Sequence, residues 1–337
     1  MTAQAPIKMP VPVLKVPYVE YIELVLNLIA PFISAYFLFL LRRPLFHLNL
    51  RILLANFSIA MSGITICRAV ILIHSNATSS PTPFWLQVPH DTFVHILITA
   101  SILMAGERVI ATLYVGIYEK VKGAGITVVV CLIDITLNFL VAYFCMVWRS
   151  DVRVHKGNFE FTYPENRNYL LASILGMAAV NMTGFFMFIC IYRYNRTRWA
   201  IDLTKKLTHR YQIAENMRTS KQLFAVLIGN CVISVYFCLV VLYIFVLQRN
   251  DVIADIVAQL LDMAMATATI VMPLVFIFSN RKLRMDILLK LKIKQNSSSW
   301  TQMTVTNKPM VFTLATEGQV YFSELQKSWD DKKAVRV

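Results

Sequence analysis

Charged residues are scarce in this chain. Only 15% of its 337 residues are Asp, Glu, Lys or Arg, while 57% are hydrophobic. A soluble domain is nearer a quarter charged and half apolar, so the balance indicates a polytopic membrane protein. Glycine is rare too, with ten in all, and no internal repeat is visible. Both features argue against a transporter built from repeats and broken helices. Cysteine is missing from every loop: Cys67, Cys131, Cys145, Cys190, Cys231 and Cys238 all fall in apolar runs. That excludes a disulfide framework and leaves the six as small buried hydrophobes. No nucleophile–base set, metal-spaced His/Cys cluster or phosphate loop occurs, so no catalytic activity, cofactor or metal is expected. The Pro-rich residues 1–19 contain no short apolar core with a cleavage site, so a cleavable signal is not expected.

What is present is a series of seven apolar runs, at about 20–41, 52–74, 92–115, 125–147, 169–192, 222–247 and 252–279. In lipid each segment must pair its own backbone groups, so runs of about 20 residues are helices. The expected fold class is an all-α membrane protein, a seven-transmembrane helix bundle. Residues 1–19 would be an extracellular segment, 20–279 the bundle, 280–294 an interfacial helix and 295–337 a disordered cytoplasmic tail.

The formal net charge of +14 could suggest nucleic acid, but its location decides otherwise. Lys and Arg concentrate between the first and second runs, third and fourth, fifth and sixth, and after the seventh, in a roughly threefold excess over the other side. This puts the amino terminus outside and the carboxyl terminus in the cytoplasm, and makes anionic membrane lipid the partner of the basic residues. The sequon Asn76-Ala77-Thr78 lies in the Ser/Pro-rich stretch 75–89, on the predicted outer side, and marks Asn76 as a glycosylation site.

Ionisable residues inside the runs are few, and such residues are usually paired and functional. Arg68, Asp134 and Asp262 are the intramembrane polar candidates: the two acids are read as a ligand contact, an ion site, a switch or structural polar glue, and Arg68 as the partner of an acid or of an anionic ligand. Glu107 and Arg108 fall near the inner end of the third run, roughly 6 Å inside the hydrocarbon boundary at 1.5 Å per residue. Adjacent helical residues do not face each other, so Arg108 is expected to answer to an acid other than Glu107. Pro273 interrupts the seventh run and would bend it, giving a pivot. No lysine stands in that run, which excludes a retinal-type Schiff base there. After it, Leu283, Ile287 and Leu291 recur at spacing four among cations, the pattern of a helix lying in the inner interface. Residues 207–218 lack Gly and Pro and are expected to be helical, extending the sixth segment into the cytoplasm as a docking surface.

Three motifs carry a resemblance. Phe46-His47-Leu48-Asn49-Leu50-Arg51 precedes the second helix. Glu107-Arg108-Val109-Ile110-Ala111-Thr112, followed by Tyr118-Glu119-Lys120, ends the third. Leu207-Thr208-His209-Arg210-Tyr211-Gln212-Ile213-Ala214-Glu215-Asn216 opens the sixth. Over about residues 20–295 the chain resembles the nematode serpentine chemoreceptors of the alpha superfamily, G-protein-coupled receptors, most closely the alpha/beta class and next the epsilon class. The resemblance implies a chemosensory receptor in the plasma membrane of sensory neurons, in the cilium, with a small-molecule ligand and a heterotrimeric G protein as partners. It assigns switch or coupling roles to Glu107, Arg108, Tyr118, Glu119, Arg210, Tyr211, Glu215 and Asn216. The ligand is expected among the outer halves of the third, fifth, sixth and seventh helices. A ligand-gated seven-helix channel is the alternative from another class; it would place its amino terminus, and Asn76, on the other side of the membrane.

Overall fold

The computed structural model describes residues 17–42, 46–78, 83–114, 123–150, 152–155, 158–161, 163–201, 207–246, 252–279 and Arg284. It divides into two units, residues 1–284 and 285–337; the second, and with it most of the expected interfacial helix and the tail, lies outside the described residues. Among the described residues the first unit contains seven long helices: α1 (Pro17–Leu41), α2 (Leu48–Thr78), α3 (Phe84–Leu113), α4 (Gly125–Arg149), α5 (Pro164–Ile201), α6 (Leu207–Val246) and α7 (Val252–Ser279). All seven are long and apolar enough to cross a membrane. The chain is a multi-pass helical bundle.

Several helices outrun their apolar stretches. α2 continues to Thr78, so Asn76 sits in its exposed last turn and not in a loop. α3 begins at Phe84, eight residues before the expected start, and passes through Pro89. A proline there forfeits one backbone hydrogen bond, but burial of Leu86 and Val88 on the same turns favours the helix. α5 continues to Ile201 because residues 193–201 contain neither Gly nor Pro, and α6 is helical from Leu207. At 38 and 40 residues these two measure roughly 57 and 60 Å at 1.5 Å per residue, about twice the hydrocarbon thickness. The connection between α4 and α5 is not a plain loop. It holds a hairpin, β1 (Val152–His155) and β2 (Asn158–Phe161), antiparallel, with Val152 opposite Phe161 and His155 opposite Asn158.

α3 is the central helix and packs against α2, α4, α5 and α6, while α1 packs on α2 and α7. Two glycines permit the close approaches. A Cβ at Gly63 would stand 2.4 Å from the Phe93 ring, and one at Gly184 would stand 2.6 Å from the backbone nitrogen of Ile102. Small residues at such crossings are how membrane helices come together without a hydrophobic driving force between them. Below Pro273, Phe276 closes the α1–α7 contact, with its ring 5.2 Å from Phe37 and 5.5 Å from Phe46. The six cysteines are free. Cys131, Cys145 and Cys238 are buried, but Cys190 is exposed on α5 and departs from the expected burial.

Candidate functional site

The last turns of α3 form the most heavily bonded polar cluster at the predicted cytoplasmic end. Arg108 is 3% exposed and Glu107 7%. Arg108 donates from Nε to Glu107 Oε2 at 2.5 Å and from NH2 to Oε1 at 2.6 Å, a two-pronged pair between adjacent residues. Arg108 therefore does pair with the adjacent Glu107, which helical geometry had not led one to expect. Adjacent Cβ atoms on a helix diverge, but both side chains are long enough to bend toward each other. Arg108 also donates from NH1 to Asn216 Oδ1 on α6 at 3.4 Å.

The same cluster closes the end of α3. A helix leaves its last four carbonyls without partners. Here Asn216 Nδ2 donates to the Ala111 carbonyl at 3.2 Å, and Arg198 NH1, from α5, donates to the Thr112 carbonyl at 3.0 Å. A cation at that end also opposes the negative end of the helix dipole. Asn195 Nδ2, one turn before Arg198, donates to Thr112 Oγ1 at 2.8 Å. Side chains from α5 and α6 thus hold α3 in one arrangement, which is a latch.

Of the residues expected to act here, the structure brings together Glu107, Arg108 and Asn216. Arg210, Tyr211 and Glu215 fall in the first turns of α6; their side chains, and Tyr118 and Glu119 altogether, lie outside the described residues. Sequence reasoning missed Asn195 and Arg198, and gave Thr112 no role beyond its place in the motif that ends the third helix. Asn195 carried a signal, an amide at the end of an apolar run, whereas Arg198 was indistinguishable from its basic neighbours.

The other candidates form two separate sites. Arg68 on α2 lies between two acids: its Nε donates to Glu23 Oε1 on α1 at 2.6 Å, and its NH2 to Asp262 Oδ2 on α7 at 2.5 Å. Glu23 is fully buried. Asp134 on α4 accepts at Oδ1 from Thr99 Oγ1 and Asn138 Nδ2, both at 2.9 Å, while its Oδ2 has no partner among the described residues. No metal-holding group of His, Cys, Asp and Glu occurs among the described residues. An apolar cleft of ≈ 350 Å³ opens between α2, α3 and α4, lined by Ile59, Phe93, Ile96, Ile135 and Phe139. Of the helices expected to enclose the ligand, only α3 lines it.

With the geometry in place, the comparison with known families is decisive. The family model of the serpentine type 7TM GPCR receptor class ab chemoreceptors matches residues 84–329, from the first residue of α3 onward. The chain belongs to this family. No curated protein matches it. The receptor's match includes the α3 latch residues and those of α5 and α6 that meet them, and it leaves out α1, α2 and the motif at 46–51.

Proposed function

We propose that this chemoreceptor, of the alpha/beta class rather than the epsilon class, binds a small molecule and signals to a heterotrimeric G protein at the end of the bundle that the latch closes. It would stand in the plasma membrane of a sensory neuron, in the cilium, with its amino terminus outside. The observation that carries this reading is the buried Arg108, held by Glu107 and Asn216 at the junction of α3 and α6. A pair of this kind is stable only while both partners remain; exposing one alone costs about 3–5 kcal/mol. The cluster therefore has two workable arrangements, closed as described and open with the guanidinium released to a partner. A ligand shifts the balance by its difference in affinity for the two. Pro273, with Phe276 packed below it, supports the reading of α7 as a helix able to bend. The test is a ligand screen in cells with a G-protein-linked readout and the Arg108→Ala variant as control. Loss of evoked signalling with surface expression retained is expected. Full signalling from that variant would exclude the latch as the coupling element.

A further inference from the structure

Midway along α5 and α6 the bundle contains buried polar atoms without a partner among the described residues. Asn181 and Asn230 stand near the centres of the spans Glu165–Trp199 and Asn216–Ile244, the depth at which an unpaired polar group costs most. Asn181 is 1% exposed, and neither its Oδ1 nor its Nδ2 has a partner among the described residues. Asn230, also 1% exposed, donates from Nδ2 to the Leu97 carbonyl at 3.0 Å, but its Oδ1 has no partner. Three of the four side-chain polar atoms of this pair are thus buried without a partner among the described residues.

The two amides share a level. Their neighbours touch across the seam, with Cys231 Sγ 3.4 Å from Met182 Sδ. α3 faces both: Ser101, one turn beyond Leu97, directs its Oγ to the Asn181 carbonyl at 3.4 Å. Gly184 lets α5 press directly on the α3 backbone at Ile102. The seam carries no charge, since residues 92–106, 168–192 and 222–246 contain no Asp, Glu, Lys or Arg.

We infer that these amides are a built-in opening device. Buried polar groups in folded proteins are almost always paired, so a fully buried, unbonded carboxamide is a standing penalty on the closed arrangement of α3, α5 and α6. Parting of α6 from α5 admits water to both amides and removes the penalty. The device opposes the latch: closure is favoured at the helix ends and opposed at mid-membrane. Their balance sets how easily the receptor opens. This inference rests on the two-state reading above.

The test is Asn181→Leu in the full chain, because leucine has the same branched outline and Asn181 makes no side-chain bond among the described residues that would be lost. Asn181→Thr is the second variant. A threonine hydroxyl in a helix bonds its own backbone, as Thr183 does to the Ala179 carbonyl at 2.7 Å. Both variants should melt several degrees higher in detergent. Both should also lower ligand-free signalling about tenfold, the size expected when one unbonded buried group is removed from the closed state alone. A lower melting temperature, or loss of folded protein in both variants, would show that the carboxamide is bonded and would overturn the inference. A higher melting temperature with unchanged basal signalling would overturn its link to opening. If the unaltered chain evokes no G-protein signal, the receptor reading fails, and the melting arm still decides whether the penalty exists.

Discussion

Glu107→Gln is the substitution that most directly tests the latch. It keeps the size of the side chain and removes the charge that Arg108 faces at 2.5 and 2.6 Å. Hydrogen bonds to a charged group contribute about 1.5–3 kcal/mol, and both prongs end on this one carboxylate. If about 2 kcal/mol of that belongs to the closed state alone, the open-to-closed ratio rises roughly 30-fold, since 1.4 kcal/mol is a factor of ten. A receptor open about once in a thousand would then be open about once in thirty. The assay is G-protein signalling without ligand, normalised to receptor at the cell surface. Elevated basal activity with a smaller further response to ligand is expected. Unchanged or reduced basal activity at equal surface expression would refute the reasoning, because the pair would then persist in both states.

The remaining predictions concern the frame around the latch. Arg68→Met leaves Glu23 buried without its cation and should cost about 3–5 kcal/mol, seen as a sharp fall in melting temperature; adding Glu23→Gln and Asp262→Asn should restore most of it. Gly184→Val should abolish surface expression, since its Cβ would lie 2.6 Å from the Ile102 backbone, whereas Gly106→Ala meets nothing within 4 Å and should stabilise α3 by up to about 1 kcal/mol. Asn76→Gln should remove a glycan and increase gel mobility if this end of α2 faces outward; an unmodified Asn76 in the unaltered chain would reverse the predicted orientation.

The polar groups divide by what they accomplish. Around Arg108 most of them are paired and tie three helices together, with Asn195 Oδ1 the exception and with Asn216 and Arg198 also supplying the partners that the α3 carbonyls lack. At Asn181 they are unsatisfied and tie nothing. Buried polar networks stabilise one arrangement when complete and oppose it when not. A bundle with one of each kind between the same helices is suited to two states.

The amino-acid sequence by itself determined that seven helices cross the membrane, because backbone groups in hydrocarbon can be paired only within a segment and the length of an apolar run sets the span. It also singled out Glu107, Arg108, Arg68, Asp134 and Asp262, because charge is conspicuous where it is costly. Helix ends were less legible: α2, α3 and α5 extend through polar residues that a hydropathy boundary excludes. Partners were not legible at all. Arg68 meets acids 45 and 194 residues away, and Arg108 takes the acid beside it, against the expectation from helical geometry. Pairing depends on how each helix is rotated and which neighbour it faces, and small residues such as Gly63 and Gly184 set those approaches. Only the tertiary structure could show that an amide on α6, Asn216, completes a latch while one on α5, Asn181, has no partner among the described residues.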